Sequence, residues 1–330
     1  MSRMKVRSLK TDGAPGVAGF IGLSASERQP DWAVKRATME DTACFRGSDG
    51  QPRRRSLAIN GMGGLLRLLL QATLLHHVTA RRAARLRLSQ IELDFPDLPL
   101  AFDGYQLLHL SDLHLDVSPH AGIALRRILP GLAVDLMVVT GDLVEHPRHG
   151  NQAVAEEMRC LMDLVCPRDG MVATLGNHDS WRTAEALEAE GIRVLINETI
   201  AINRQDERLL ITGIDDPGYF FDEASLAAME ESGEVGVKIL LAHSPELAEI
   251  AAGAGYRLYL AGHTHGGQLR LPIFGAIANL LRKHRGYLQG LWSHDRMYGY
   301  TSAGVGTSLA PLRLNCPGEV VLITLRKSPT

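Results

Sequence analysis

Short apolar runs that end abruptly in polar residues recur along the chain after residue 104. The first run covers residues 105–110 and stops at Ser111, within the sequence LHLSDLHLD of residues 108–116. A run of this length is typical of a buried strand that leads into a polar loop. Similar runs occupy residues 136–140, 171–175, 239–242 and 258–261. The pattern therefore predicts five buried strands, each followed by a polar loop.

Segments with helical periodicity lie between these strands. We predict helices at residues 121–129, 153–165, 183–189 and 223–231, and two further short strands at 193–196 and 209–214. Strands that alternate with helices favour an α/β fold with a largely parallel sheet. The tail from residue 298 to residue 325 alternates turn residues with β-formers, which is typical of antiparallel closing strands. We therefore expect an α/β domain over residues 91–330, with a β-rich carboxyl-terminal part.

Side chains that can bind metals follow all five predicted strands. Asp112 and His114 are two residues apart and point the same way if their segment is extended, as do His263 and His265. The complete set of strand-end candidates is Asp112, His114, Asp142, Asn177, His243, His263 and His265. The carboxyl ends of the strands of an open α/β sheet share one edge, where ligands bind. We therefore expect these side chains to form one site.

The chemistry of this set indicates two metal ions. Neutral imidazoles and carboxylates suit Mn²⁺, Fe²⁺ or Zn²⁺, and the lack of a thiolate argues against a structural zinc site. Seven ligands are too many for one tetrahedral ion. They suit two ions about 3.5–4 Å apart, the arrangement used for in-line displacement at phosphorus. Two divalent ions with only two aspartates leave the cleft positively charged, which favours a substrate that contains phosphate.

The order of the motifs resembles the calcineurin-like metallophosphoesterase superfamily. Its blocks D-x-H, G-D, G-N-H-D/E, H and G-H-x-H appear here in sequence, over residues 105–325. The resemblance implies two mixed β-sheets packed as a sandwich and flanked by α-helices, a four-layer αββα fold. It also implies which residues hold the ions: Asp112, His114 and His265 the first, Asn177, His243 and His263 the second, with Asp142 bridging both.

The same resemblance implies the mechanism. A metal-bridging hydroxide attacks phosphorus without a phospho-enzyme, and His178 binds the phosphoryl oxygen or protonates the leaving group. In the family, this histidine commonly pairs with a carboxylate three residues after the bridging aspartate, which here is Glu145. Many relatives carry Asp at that position, so the pairing of the longer Glu145 with His178 stays open.

Other polar and sulfur-containing residues are expected to be structural. We expect Asp179 to cap the helix that follows it, and Asp116 and His146 to be polar loop residues. The cysteines have no CxxC motif and no zinc-like spacing, so we expect all of them to be reduced. They are Cys44, Cys160, Cys166 and Cys316. We expect Cys160 and Cys166, on a predicted helix, to lie in the core.

The first 90 residues differ in charge from the rest of the chain. They contain 16 Lys/Arg and 6 Asp/Glu, whereas the remaining residues contain 19 and 31. We expect residues 1–60, rich in Gly, Ser and Arg, to be a disordered basic leader, or an extension upstream of a start at Met39 or Met62. The sequence QPRRR before an apolar run is faintly similar to a twin-arginine export signal. Arg67 interrupts that run and no clean cleavage site follows, which argues against export.

Residues 61–90 are expected to contain an amphipathic helix. Between residues 64 and 88, arginines and a glutamine fall within one narrow arc at about 100° per residue, and leucines cover most of the rest. The segment is too interrupted to span a bilayer, which needs about 20 apolar residues. It suits a helix in the headgroup region of an anionic membrane, or a helix docked on the protein's own core.

These observations together predict a metal-dependent hydrolase of a phosphodiester or pyrophosphate. The GHTHGGQ and GTSLAPLRLNCPGEVVLITL sequences resemble a bacterial membrane-associated branch that includes UDP-2,3-diacylglucosamine pyrophosphatases of lipid A synthesis. This implies a lipid-linked or nucleotide-sugar substrate and a cytoplasmic protein at the inner membrane, with an exported protein as the alternative location. A soluble nucleotide phosphodiesterase is the alternative function, and a catalytically silent metal-binding scaffold ranks last. The acidic catalytic part has no visible basic groove, so nucleic acid is an unfavoured partner.

Overall fold

The computed structural model describes residues 20–22, 28–53, 83, 85–146, 151–230, 236–277, 279, 281–308 and 310–328. Within these residues the α-helices are α1 (Trp32–Thr42), α2 (Pro119–Ile128), α3 (Asn151–Val165), α4 (Trp181–Ala189), α5 (Glu223–Glu230) and α6 (Ala248–Gly253). The first strands are β1 (Phe20–Gly22), β2 (Phe45–Arg46), β3 (Pro52–Arg53), β4 (Leu86–Phe95), β5 (Gln106–Leu110), β6 (Leu136–Thr140), β7 (Met171–Thr174), β8 (Arg193–Val194) and β9 (Glu198–Arg204). The remaining strands are β10 (Glu207–Gly213), β11 (Lys238–Leu241), β12 (Leu258–Ala261), β13 (Arg270–Leu271), β14 (Gly275–Ala276), β15 (Gly290–His294), β16 (Met297–Thr301) and β17 (Gly318–Lys327). Single 3-10 turns cover Leu100–Phe102, Pro245–Leu247, His265–Gly267 and Arg285–Tyr287.

The first large sheet has the strand order β4-β17-β5-β6-β7-β8. Strands β5 to β8 run parallel, whereas β17 lies antiparallel to β5 and parallel to β4. Every residue of β6 and β7 is buried, because the strands of a parallel sheet are covered on both faces. This burial explains why these strands appear in the sequence as continuous apolar runs.

The second large sheet has the strand order β1-β9-β10-β11-β12-β16-β15. Strands β10, β11, β12 and β16 run parallel, and β9 and β15 add antiparallel pairs at either side. The sequence predicted β10 but not β9, which forms a tight hairpin with it through the pair Arg204 and Glu207. The tail is β-rich, as expected, but β16 joins the parallel part of this sheet.

The two sheets pack face to face through an apolar layer. This layer includes Leu107, Val138, Ile211, Ile239 and Ile323. Helices α2, α3 and α4 cover the outer face of the first sheet, and α5 and α6 cover that of the second. The structure therefore has the four-layer αββα arrangement that the family resemblance implied.

The amino-terminal part differs from the expectation of a disordered leader. Helix α1 and the β2–β3 hairpin form within residues 1–60, and the Arg36 side chain of α1 is buried. Strand β4 begins at Leu86 and pairs along its whole length with β17. Residues 86–88 are therefore strand rather than helix, and the domain begins before residue 91. Most of the predicted amphipathic helix, residues 54–82, lies outside the described residues.

Cys160 and Cys166 are exposed, so their predicted core positions are wrong. The buried face of α3 is formed by Val154, Ala155, Met158 and Leu161, and Cys160 lies off that face. In the ranges that the structure describes, no helix is both long and apolar enough to cross a bilayer.

Glu319, a buried carboxylate on β17, connects the two sheets. It accepts hydrogen bonds from the Arg87 guanidinium (2.6 Å) and the Ser89 hydroxyl (2.6 Å) of the first sheet, and from the Tyr300 hydroxyl (3.0 Å) of the second. Burial by itself would raise the pKa of this carboxyl, but the hydrogen bonds from Ser89 and Arg87 lower it below the usual 4.5. The carboxylate is therefore charged at neutral pH.

We expect Glu319→Leu to lower the free energy of unfolding by about 2–4 kcal/mol, because the Tyr300 hydroxyl loses its buried acceptor. Urea titration measures this loss. The matched control is Glu92→Leu, which removes the water-screened pair with Arg326 between the same two strands and should change stability little. Because folding lowers the pKa of Glu319, its contribution to the free energy of unfolding is fully present above about pH 4.5. The contribution declines as the pH falls below that value. Equal losses in the two variants would contradict this role.

Candidate metal centre

The predicted ligands converge at one edge of the sandwich, where the carboxyl ends of parallel strands from both sheets meet. The strand ends of β5, β6 and β7 contribute from the first sheet, and those of β11 and β12 from the second. Backbone hydrogen bonds join the loops: Asp112 N–H donates to Gly141 O (3.0 Å) and His114 N–H to Asp142 O (3.1 Å). The N–H of His263 donates to the Asp112 carboxylate (3.1 Å), which ties the second sheet to the first.

Asp112, His114 and His265 form a first cluster. Their candidate ligand atoms all lie within 4.8 Å of one another, and the three residues are buried. His265 Nε2 is 3.4 Å from Asp112 Oδ1, and the rings of His114 and His265 stack with centroids 5.2 Å apart. One ion could contact all three side chains.

Asn177, His243 and His263 form a second cluster. His263 Nδ1 lies 3.0 Å from Asn177 Oδ1 and 3.2 Å from His243 Nε2. These atoms come from three different loops on two sheets, and they approach one another as closely as ligands of one ion would. The donor set is two imidazoles with one amide oxygen, which suits a divalent transition metal.

Asp142 lies between the two clusters. Its Oδ2 is 3.7 Å from His114 Nε2 and 3.2 Å from His243 Nε2, while its Oδ1 accepts a hydrogen bond from His178 N–H (2.9 Å). Burial would raise the pKa of this carboxyl, but the nearby His243 and His178 lower it well below its usual value. A carboxylate that is charged at neutral pH is thus available to both clusters.

Five of these residues have backbone conformations that are rare outside glycine. The φ angle is positive at Asp112 (50°), His114 (44°), Asp142 (54°), His263 (72°) and His265 (50°). A residue held in a sparsely populated region costs about 1–3 kcal/mol, and such residues cluster at functional sites because the surrounding structure must enforce them. The rest of the fold therefore holds these loops in a strained arrangement.

Two glycines allow the loops to approach this closely. A Cβ atom on Gly176 would lie 2.2 Å from Asp142 Oδ1, and one on Gly262 would lie 1.8 Å from Ser111 Oγ. No side chain fits at either position without moving the carboxylate loops. The close approach of the loops thus explains why the G-N-H-D and G-H-x-H blocks begin with glycine.

Polar contacts on the far side of two rings orient them. His243 Nδ1 is 2.7 Å from Thr140 O, and a carbonyl oxygen only accepts, so Nδ1 carries the proton and Nε2 faces the cluster. His114 Nδ1 lies 3.0 Å from Glu145 Oε2, which leaves its Nε2 directed toward Asp142. Metal-binding histidines are commonly oriented in this way by a carbonyl or carboxylate behind the ring.

Electrostatics and unpaired atoms both fit bound cations. Burial would lower the pKa of His114, but Glu145 and Asp142 raise it to about 9, which indicates a demand for positive charge. Burial and the neighbouring His243 lower the pKa of His263 to about 3, so its ring is neutral and keeps a lone pair. Among the described residues, the buried His114 Nε2 and His265 Nδ1 have no hydrogen-bond partner. Divalent ions would meet both requirements.

His178 and Glu145, the two predicted catalytic residues, lie beside the first cluster. His178 Nδ1 is 3.1 Å from the backbone carbonyl of Glu145 and 3.8 Å from its carboxylate. The carboxylate is closer to His114, at 3.0 Å. The side chain of Glu145 thus contacts a predicted metal ligand, and its main chain contacts His178.

Asp179 has a role that the sequence did not reveal. It does not cap α4, where Ser180 occupies the N-cap position and its N–H donates to Thr183 Oγ1 (3.0 Å). Its buried carboxylate instead accepts hydrogen bonds from four backbone N–H groups, those of Asp142 (2.7 Å), Leu143 (3.0 Å), Val144 (3.3 Å) and Gly176 (2.8 Å). Asp179 therefore holds the loop of Asp142 against the loop of Asn177.

Arg313 was also missed as a site residue: it lies in the GTSLAPLRLNCPGEVVLITL sequence, but nothing in that sequence indicates which backbone groups it contacts. Its buried guanidinium donates to the carbonyl oxygens of Ala303 (2.8 Å), Gly304 (3.1 Å) and His265 (3.4 Å). It joins the carboxyl-terminal loop to the loop that carries His265. By contrast, Asp116 is the polar loop residue that the sequence predicted, and it accepts from the N–H of Glu145 (2.7 Å).

We expect Asp179→Asn to lower the free energy of unfolding by about 1–3 kcal/mol, because an amide offers one acceptor oxygen where two now serve buried donors. Urea titration measures the loss. Asp116→Asn is the control, since Asp116 also accepts from two backbone N–H groups but lies in a partly exposed loop. An equal or larger loss in the control would contradict the role of Asp179.

Comparisons with known proteins agree with this site. The family model of the calcineurin-like phosphoesterases matches residues 105–267. The metallophosphoesterase YkoQ of Bacillus subtilis (strain 168) is 30% identical over 254 residues, which cover 73% of this chain and 90% of that protein. The phosphodiesterase YaeI of Escherichia coli (strain K12) is 29% identical over 231 residues, 67% of this chain and 82% of that protein. A transmembrane protein with a metallophosphoesterase domain from Danio rerio is 28% identical over 289 residues, 80% of this chain and 63% of that protein.

The family match begins at β5 and ends just after β12, so it covers all of the strand ends described above. Because YkoQ is similar over nearly its whole length, the likeness is not confined to short motifs. The chain belongs to the calcineurin-like phosphoesterases and is a metal-dependent hydrolase of phosphoesters, in a family that uses two divalent ions.

Proposed function

We propose that the protein hydrolyses a phosphodiester or pyrophosphate with two divalent ions. The observation that carries this proposal is the position of Asp142, whose Oδ2 lies within 3.7 Å of a histidine from each cluster. The first ion would be held by Asp112, His114 and His265 and the second by Asn177, His243 and His263, with the Asp142 carboxylate shared. The relative YaeI is a phosphodiesterase, which supports a diester as substrate.

The protein side chains prepare the site for an anionic substrate. Two divalent ions bound there would supply Lewis acidity and would activate water for attack on phosphorus near neutral pH. Only Asp112 and Asp142 among the proposed ligands are anionic, because Asn177 binds through a neutral oxygen. With the ions bound, the excess positive charge would lie in a buried cleft, where a phosphate would be attracted more strongly than in water.

His178 is the proposed proton donor to the leaving group. Its Nδ1 must carry a proton, since its partner is the carbonyl oxygen of Glu145, which only accepts. The other ring nitrogen, Nε2, is therefore free to hold the second proton and release it to a leaving oxygen. The side chain is 27% exposed, unlike the fully buried His114 beside it, so a substrate can reach it.

We expect Asp142→Asn to lose both ions, because the shared carboxylate becomes a neutral amide with one acceptor oxygen. His178→Gln should keep both ions and lose about 10²–10⁴-fold in kcat, the usual contribution of a general acid. Metal content after dialysis against Mn²⁺, together with turnover of a chromogenic phosphodiester, measures the two effects. The control is His146→Gln, which replaces an exposed loop histidine and should keep both the metal content and the turnover. Equal metal loss in the Asp142 and His178 variants would contradict the assignment.

We further propose that the substrate is linked to a lipid and that the protein binds the membrane through the β13–β14 hairpin. This hairpin follows directly after the His265–Gly267 turn of the site. At its tip Ile273 is fully exposed and Phe274 is 84% exposed. Such exposed apolar groups are typical of surfaces that contact a partner or a membrane. The hairpin would bring acyl chains close to the metal centre.

Basic side chains next to the hairpin favour an anionic membrane. Arg282, Lys283 and Arg285 are exposed, and the Asn279 side chain donates to Arg285 O (3.0 Å), so this segment adjoins the end of the hairpin. Each Lys or Arg near anionic lipid contributes about 1 kcal/mol to binding. The Danio rerio relative is a transmembrane protein with a metallophosphoesterase domain, which supports the proposal that a related domain works at a membrane.

The proposed substrate class is therefore a lipid-linked pyrophosphate or phosphodiester, similar to the UDP-2,3-diacylglucosamine of lipid A synthesis. A location at the cytoplasmic surface of the inner membrane and the use of Mn²⁺ belong to the same proposal. The hairpin base is linked to the site: Gln268 Nε2 donates to Ser308 O (3.1 Å), and Ser308 Oγ donates to Glu145 Oε1 (3.3 Å). Membrane contact at the hairpin would thus act next to the reacting groups.

We expect the double variant Ile273→Ser/Phe274→Ser to bind vesicles of anionic phospholipid at least ~10-fold more weakly, because two apolar anchors worth about 1.5–3 kcal/mol each are lost. Stimulation by mixed micelles should disappear, while turnover of a soluble diester stays within about two-fold. The control is Leu100→Ser/Ile123→Ser, which removes exposed apolar groups elsewhere on the surface.

Vesicle binding that is unchanged in the hairpin variant, or equally reduced in the control, would contradict the membrane proposal. Activity on nucleotides that ignores detergent and lipid would favour the soluble nucleotide phosphodiesterase instead. Neither result would affect the assignment of the metal ligands, since the soluble diester tests that part separately.

A further inference from the structure

Helix α1 lies outside the residues that the family model matches, yet it contacts the metal-binding loops. Its residue Arg36 is 2% exposed, the most deeply buried charged side chain of this amino-terminal part among the described residues. A buried guanidinium is costly unless its donors are satisfied. The contacts of Arg36 therefore indicate what its burial achieves.

Arg36 Nη2 donates two hydrogen bonds to the loop that follows β7. One goes to Gly176 O (2.9 Å) and the other to Asp179 O (2.8 Å). These two carbonyl groups flank Asn177 and His178. A single nitrogen thus holds both ends of the short segment that carries a proposed metal ligand and the proposed general acid.

The guanidinium itself is held on its other sides. Its Nη1 pairs with the Asp215 carboxylate, its Nε is 3.2 Å from Glu40 Oε1, and its plane lies over the Phe220 ring at 3.7 Å from the centroid. Glu40 Oε1 also accepts from Trp181 N–H (3.3 Å), at the start of α4. The guanidinium therefore has little freedom to move, and the loop that it holds is restrained in the same way.

We propose that Arg36 is a positioning residue, through which helix α1 sets the location of the Asn177 and His178 side chains. The proposal rests on the roles proposed above for these two residues. A lysine cannot replace this function, because an ammonium group lacks the planar fork that contacts two carbonyls, a carboxylate and a ring at once. A misplacement of about 1 Å at reacting groups commonly costs ~10²-fold in rate. The amino-terminal helix is therefore part of the active enzyme.

The test uses Arg36→Lys and Arg36→Ala in the full chain, with a soluble chromogenic diester and saturating Mn²⁺. We expect kcat to fall by at least ~10-fold in both variants, with KM within about two-fold, because the loop orients the reacting groups rather than binding the remote parts of substrate. Added ethylguanidinium should restore part of the kcat of Arg36→Ala, since it can occupy the space of the lost group. It should not restore Arg36→Lys.

The control for general destabilisation is Leu98→Ala, which opens a cavity between the sheets and should lower the melting temperature without lowering kcat. If Arg36→Ala loses stability but keeps its kcat, or if the guanidinium analogue gives no rescue, the proposal is overturned. If Arg36→Ala does not fold, Arg36→Lys decides the matter by the same kcat measurement.

If the unmodified protein hydrolyses no diester, the proposed function fails, and the NMR shift of the His178 ring in Arg36→Lys then tests the positioning role alone. An unchanged shift would overturn it.

Discussion

A charged carboxylate at the meeting point of two β-sheets is the constraint on which the rest of this site depends. Asp142 is buried, and His114, His243 and the His178 N–H all lie within hydrogen-bond or ion-pair distance of it. A buried negative charge is costly without positive partners. Its neighbours must therefore carry protons or bind cations, and either solution brings ligands from both sheets together. The sandwich is what allows this, because it aligns the strand ends of both sheets at one edge.

The arrangement is strained, and the strain is balanced by contacts that lie outside the ligand set. Positive φ angles at five of the proposed ligand positions cost several kcal/mol in sum, at about 1–3 kcal/mol each. Asp179 offsets part of this through four backbone N–H groups, and Arg313 does so through five carbonyl groups. These two residues bind no metal in the proposed scheme. They make a ligand geometry possible that the loops would not adopt by themselves.

Two segments beyond the shared core would adapt this family chemistry to a particular use. Helix α1 contacts the loop after β7 through Arg36, and the β13–β14 hairpin follows the turn that carries His265, with Ile273 and Phe274 exposed. In the proposed scheme helix α1 fixes the positions of the reacting groups, and the hairpin binds the enzyme to the membrane. The two proposals therefore concern different loops of the same site.

The sequence by itself determined the fold class, the five site-bearing strands and the set of candidate ligands. It could do so because burial makes parallel strands continuously apolar, and because the carboxyl ends of such strands share an edge. Helices α2 to α5 were predicted within two residues at each end for the same kind of reason, namely local periodicity. Helix α1 was missed because its apolar positions follow no clear stripe and its main buried residue is an arginine.

Only the tertiary structure decided how the polar residues are paired. Asp179 turns away from the helix it precedes, the Glu145 carboxylate lies nearer His114 than His178, and Arg36 reaches a loop 140 residues away in the chain. Each of these contacts joins groups that are distant in sequence, and most of their partners are backbone atoms, which every residue possesses. A sequence records which side chains are present, but the backbone groups that they meet are defined only when the strands have packed.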